Sequence, residues 1–152
     1  MPGLLIPDRD SAMRRHFNPP SGWPRAGRAF NHGVVEPEGR RIHITGQVAW
    51  DAAGAVVAPG DCGAQADRCF QNVVSILAAV GGRPEDIVSL TIYYVNPVDV
   101  PAIQKARSAW LSPETAPASI LIQCAGLVAP ELLIELVPVA VVPFERYRDP
   151  DG

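Results

Sequence analysis

The run LLIELVPVAVV, residues 132–142, carries a single polar side chain, Glu135. Successive side chains of a β-strand point to opposite faces of its sheet. Here one set reads Leu132, Ile134 and Leu136, and the other Leu133, Val137, Val139 and Val141, with Glu135 among them. Both sets are apolar. A sheet covered by helices on one face only has a polar second face, so this second face is expected to be covered too. The chain offers two helical segments, and the remaining cover is expected from other copies: a homo-oligomer whose sheets pack together. Pro138 has no N–H for a ladder bond and is expected at an edge or a bulge.

Glu135 falls on the face assigned to the interface between copies. An ionised carboxylate left unpaired in an apolar interior costs several kcal/mol. It must therefore reach solvent, meet a backbone amide or arginine across the interface, or sit in a cleft with a chemical task. A cleft between subunits can combine apolar walls with one acid.

Upstream, AFNHGVV (29–35) and RIHITGQV (41–48) read as short strands joined in hairpin fashion by Pro- and Gly-containing EPEGR, and GAVV (54–57) as a short third strand. Asp61 is the N-cap candidate of a helix with an apolar stripe of Ala66, Cys69, Phe70, Val73, Ile76, Leu77 and Val80, ended by Gly81 and Gly82. IVSLTIYYVN (87–96) is a strand, and VDVPAIQKARSAWLS (98–112) a second helix with Pro101 in its first turn and Ile103, Ala106, Trp110 and Leu111 on its apolar side. ASILIQCAG (118–126) pairs with the final run. The fold class expected is α+β, a single mixed β-sheet with two helices on one face. Residues 1–20 are expected to lie disordered ahead of one domain at 21–143, with a frayed tail at 144–152.

A net charge of −3 without a basic stripe argues against nucleic acid as a partner. No stretch nears the about 20 apolar residues of a membrane span, and the N-terminal apolar patch, cut by Pro7 and Asp8, is too short for a signal peptide. A cytoplasmic location is expected. Cys62, Cys69 and Cys124 are an odd count without zinc spacing, and His16, His32 and His43 are scattered, so no metal site is expected. Trp23, Trp50 and Trp110 fall on different elements and do not make an aromatic box. Of Tyr93 and Tyr94, at most one can face a cleft.

AQADRCFQNVVSILAAVGGRPEDIVSLTIYYVN (64–96) resembles the middle of the Rid (YjgF) family of reactive-intermediate deaminases, which carry a similar Gln, Phe and Asn on the first helix. ITGQV (44–48) resembles that family's SGQ strand end, and PAS (117–119) with LLIELVPVAVV its last two strands. The resemblance covers 28–142 and implies a chorismate-mutase-like fold, a homotrimer and three intersubunit clefts. It implies enamine or imine hydrolysis without a cofactor, Glu135 positioning the water. The chain departs from the deaminase pattern at three positions: Ser119 stands in the place of the carboxylate-binding arginine, Leu121 in that of a cysteine and Phe30 in that of a tyrosine. A serine offers one neutral hydrogen bond where arginine offers two charge-assisted ones, so small imino-acid carboxylates are expected to bind poorly. The expected ligand is a less polar small molecule, held by Ser119 and Gln123 between walls of Phe30 and Leu121, with Glu135 as base. Arg25 and Arg28 are candidate substitutes for the missing guanidinium. The enzyme expected is a cofactor-independent hydrolase (deaminase) or tautomerase; the alternatives are a non-catalytic binding or sensing trimer and, with less support, an endoribonuclease.

Overall fold

The computed structural model describes residues 13–152. Its first helix, α1 (Cys62–Ala78), begins where extended Asp61 accepts the backbone N–H of Ala64 at 3.1 Å. Such a cap satisfies one of the helix's orphan donors and contributes about 1 kcal/mol. Ala66, Cys69, Phe70, Val73 and Leu77 are buried as the stripe predicts, but Ile76 lies at its margin and is 37% exposed. Past the helix end, Gly81 has φ +78°, and a Cβ there would stand 2.0 Å from the Arg146 carbonyl oxygen, so both conformation and space demand glycine. The second helix, α2 (Val100–Trp110), has Pro101 in its first turn. It packs on α1 through Phe70 and Trp110, stacked at 5.9 Å, while Trp110 Nε1 donates to Asp67 Oδ1 at 2.9 Å.

The strands are β1 (Arg15–Phe17), β2 (Gly33–Val35), β3 (Gly39–His43), β4 (Ile87–Tyr94), β5 (Ala118–Gln123) and β6 (Ile134–Pro143). Four of them form a mixed sheet in the order β3-β6-β4-β5. β6 runs antiparallel to both neighbours, and β4 and β5 are parallel. A parallel pair needs a crossover, which α2 supplies. Ile134, Leu136 and Ala140 of β6 join Leu90 and Ile92 of β4 in the core beneath α1 and α2. Glu135, Val137 and Val139 point the other way and are half-buried. Beside them Ile120 of β5 is 54% exposed. The second face is thus apolar along β6 and at Ile120, flanked by Arg41 and His43 of β3 and Ser89 and Thr91 of β4, and no helix among the described residues covers it.

Several expectations need correction. β2 does not form a hairpin with β3; it pairs with β1 in a separate two-stranded ribbon, so the strands do not make a single sheet. Phe17 of β1 lies across Gly33, which has no side chain to obstruct it. Residues 29–31 are buried without being strand, and GAVV contributes only the isolated bridge of Val56 to Trp50. Pro138 lies opposite Leu90 on the β4 side but past the last β3 pair, His43 with Val139, so its missing N–H falls at a local edge where that ladder has ended. The β4–β6 register shift lies in β4 between Ile87 and Ser89, opposite Val139 and Ala140, one pair away from Pro138. Of the extension expected at 1–20, Arg15–Phe17 is strand, and residues 1–12 lie outside the described residues. The tail is tied down. Arg146 grips the buried Asp86 through Nη2–Oδ1 at 2.5 Å and Nη1–Oδ2 at 2.9 Å, and the Arg148 N–H donates to the Val80 carbonyl at 3.1 Å.

Leu136 is fully buried and neighbours Glu135 on the central strand. Leu136→Ala is expected to lower the unfolding free energy by about 3 kcal/mol, from lost transfer energy plus the cavity left behind. Urea denaturation measures it.

Candidate active site

Glu135 owes its place to the backbone of β6 and to the loop that crosses it. The N–H of Gln47 donates to the Leu136 carbonyl at 2.8 Å and the N–H of Leu136 returns the bond at 2.9 Å. That bridge lays Gly46 against the Glu135 side chain. A Cβ on residue 46 would stand 2.8 Å from Glu135 Oε2, so the carboxylate occupies the space a side chain would need. Two buried or half-buried amides hold the surroundings. Asn72 Nδ2 of α1 donates to the Val48 and Trp50 carbonyls at 3.2 and 3.1 Å. Gln65 Oε1 accepts the Leu133 N–H at 2.9 Å while its Nε2 donates to the Glu131 carbonyl at 2.9 Å, fixing the entry to β6. Tyr93 is the direct neighbour of Glu135 on β4, on the same face; Tyr94 faces the core. Among the described residues no hydrogen-bond or ion-pair partner of the Glu135 carboxylate is found.

The other expected site residues form a separate group. In the β4–β5 register Ser119 lies beside Leu90, Leu121 beside Ile92 and Gln123 beside Tyr94. Leu90 and Ile92 are core residues on the helix side. Ser119, Leu121 and Gln123 therefore share that side, and Glu135 stands on the opposite face of the same sheet. Gln123 is exposed and donates through Nε2 to the Val95 carbonyl at 3.3 Å. Phe30 is buried, its segment held where the Asn31 N–H donates to the Pro117 carbonyl at 3.0 Å and Asn31 Nδ2 to the Ala116 carbonyl at 2.8 Å. The structure brings Phe30 and Ser119 to one group and does not bring Glu135 to it within one chain.

Two residues of this region are absent from the sequence-based set. One is Gly46. The other is Arg107, whose Nη1 donates to Ser119 Oγ at 3.2 Å and whose guanidinium carbon lies 5.5 Å from the centre of the Phe30 ring. A guanidinium thus stands next to residue 119, delivered by α2 instead of β5. Its signal was the spacing Ile103, Ala106, Arg107, Trp110, which puts a charge on an apolar helix stripe. Burial first, then the nearby Arg28 charge, bring Arg107 down to about 10, so it stays ionised at neutral pH. Of the two candidate substitutes, Arg28 lies 5.6 Å from the same ring, and Arg25 is engaged by the Phe30 carbonyl at 3.1 Å and by Asn31 Oδ1 at 3.1 Å. Trp23 packs on Phe30 and His32, and Trp110 stacks on Phe70. Among the described residues no three His, Cys, Asp or Glu side chains converge as metal ligands. No helix among them is long and apolar enough to cross a membrane.

Residues 22–142 match the protein-family model described as Endoribonuclease L-PSP. Among solved structures, the Rid-family protein YyfB from Yersinia pestis is 36% identical, with a TM-score of 0.80 over 85% of this chain and 98% of that one. RidA from an Antarctic Psychrobacter is 25% identical, with a TM-score of 0.63 over 78% of this chain and 93% of that one. A YjgF-family member from Neisseria meningitidis, 20% identical, shares the fold with a TM-score of 0.60 over 91% of this chain and 98% of that one. The chain belongs to the Rid (YjgF) family, and its two helices on a mixed sheet are that family's α+β fold.

The cysteines provide a check on this packing. Cys62 and Cys69 are buried, and both thiols are pushed up to about 12, chiefly by burial, with the Asp99 charge adding at Cys62. Thiolate is the reactive form. Cys124 is only half-buried. A thiol-specific disulfide reagent at pH 8 is expected to titrate Cys124 alone in the native protein and all three cysteines in denaturant.

Proposed function

We propose that this protein is a cofactor-independent hydrolase of imines and enamines, working in a cleft that forms where identical chains meet. The observation that carries the reading is Glu135: a carboxylate without a described partner, pressed against Gly46, on a sheet face where its β6 neighbours are Val137 and Val139 and where Ile120 lies exposed. An apolar face of this kind is stabilised by burial against another copy, at about 25 cal/mol per Å² removed from water. Ser119 and Phe30 stand on the opposite side of the sheet, so Glu135 can meet them only from a second copy. A homotrimer closed in a ring puts one such pairing at each seam.

In that cleft Glu135 orients a water and takes its proton as the oxygen adds to the C=N carbon. The proton passes on to nitrogen, the tetrahedral intermediate collapses to a ketone, and ammonia leaves. An enamine enters the same sequence after protonation at carbon. Water and imine are consumed and ketone and ammonia formed, with no change of oxidation state and no cofactor required. Leu121 and Phe30 serve as walls, and Ser119 and Gln123 as hydrogen-bonding groups.

Binding without turnover is the second reading. Phe30 favours it, since its ring offers no hydroxyl to the reaction. RNA cleavage, which the family model's description names, finds no support in a chain of net charge −3.

The reading is tested with charged and neutral imines generated in place by amino-acid and amine oxidases, following ammonia release. Acceleration of at least one of them is expected, and Glu135→Gln is expected to lower kcat by about 100-fold or more. A protein that binds these compounds but accelerates none is a binder. Sedimentation equilibrium is expected to give three times the 16.3 kDa chain mass, and a monomer would remove the cleft.

A further inference from the structure

A cavity of about 460 Å³ lies by Pro143, at the other end of β6 from Glu135. That volume is within the range of small-molecule sites. Its lining shares no residue with Glu135 or with the group at Phe30 and Ser119.

Arg14, just ahead of β1, lines the cavity, and its Nη2 donates to the Thr115 carbonyl at 2.5 Å. Its Nε and Nη1 are buried and find no acceptor among the described residues. Burial, opposed by the charges of Asp86 and Glu85, brings Arg14 down to about 10, so it is a cation at neutral pH. His16 also lines the cavity, and its Nε2 likewise lacks a partner. Burial first, then the Arg14 charge, hold His16 below its ordinary value, so it adds no charge at neutral pH.

Acids outnumber that cation. Asp86 is neutralised by Arg146. Glu38, Glu85 and Glu145 also line the cavity, all three are exposed, and neither ion pair found among the described residues includes them. The walls include two large apolar side chains held in the open, Met13 at 65% and Phe144 at 60% exposure. Covering them with the apolar body of a ligand is favourable.

This pattern selects among ligands. A plain anion would suit Arg14 and be repelled by three carboxylates. A plain cation would suit the carboxylates and leave the Arg14 donors unmet. An uncharged apolar molecule would use neither. A zwitterion satisfies both signs at once, its carboxylate accepting from a guanidinium and its ammonium donating to a glutamate, both charge-assisted bonds.

We infer that this cavity is a binding site for an α-amino acid with an apolar side chain. The carboxylate is held at Arg14, the ammonium among Glu38, Glu85 and Glu145, and the side chain against Met13 and Phe144. The site is no part of the cleft proposed above, and the inference does not rest on the hydrolase reading.

Calorimetric titration of the full-length protein with L-leucine, leucinamide, N-acetylleucine and glycine tests it. Leucine is expected to bind at least about tenfold more tightly than leucinamide, which lacks the carboxylate, and than N-acetylleucine, which lacks the ammonium. Tenfold is about the worth of one charge-assisted bond. Glycine, without the apolar body, is expected to bind more weakly than leucine. Arg14→Gln is expected to bring the leucine-to-leucinamide ratio near one. Glu85→Gln combined with Glu145→Gln is expected to lower the leucine-to-N-acetylleucine ratio, and Phe144→Ala to bring leucine towards glycine. These last three side chains are exposed, so their variants decide the matter even if Arg14→Gln fails to fold. Glu135→Gln and Ser119→Ala are expected to bind leucine as wild type does. No leucine binding by wild type, equal affinity for leucine and either derivative, or affinity lost in Ser119→Ala and kept in Arg14→Gln would overturn the proposal. Imine hydrolysis is read separately, and its presence or absence does not alter this outcome.

Discussion

The central strand β6 is apolar on both of its faces, and the rest of the molecule answers to that fact. A strand with two neighbours has its backbone polar groups satisfied by them, and its side chains then need two covers. Two helices supply one. They are set there by a cap at Asp61, by the conformational freedom of Gly81 and by the stacking of Phe70 on Trp110. No described residue supplies the other cover, and on that bare side lies the only acid of the strand.

The sheet also separates charge. Glu135 and the Gly46 loop occupy one face, while Ser119, Phe30, Arg28 and Arg107 gather near the helix side of the edge strand β5. Opposite charges placed back to back across a sheet gain little from each other inside one molecule, and neither finds a counter-ion among the described residues. An assembly that puts the back of one sheet near the front of another would unite an acid with a cation-backed donor around a shared space. The proposed hydrolysis depends on that union, and the chain's own stability does not.

The sequence revealed elements whose driving force is local or periodic. The α1 stripe, the Asp61 cap, Pro101 in the first turn of α2 and the two-sided character of β6 could all be read from spacing. Pairing partners could not. β2 and β3 look like a hairpin from their connection, yet β2 joins β1, where Phe17 lies across Gly33, a contact that no local pattern announces. Pro138 signalled an interruption correctly: β6 is central, yet the β3 ladder ends at Val139, one residue before the proline. In the site, Glu135 stood out as one charge in an apolar run. Arg107 made a similar exception on α2 and passed unnoticed, because arginine is common on helices and only its 2% exposure shows that this one is not at the surface. The departure at Ser119 was legible as a loss. That the group beside it came from another element required three dimensions.

The alternation of β6 has an evolutionary corollary. Residues 134, 136 and 140 answer to the interior of their own chain, whereas 135, 137 and 139 answer to whatever lies outside it. Selection on folding and selection on chemistry or company thus read interleaved letters of the same word. Descendants could retune one vocabulary while leaving the other intact, whereas a single inserted residue would exchange the two and scramble both.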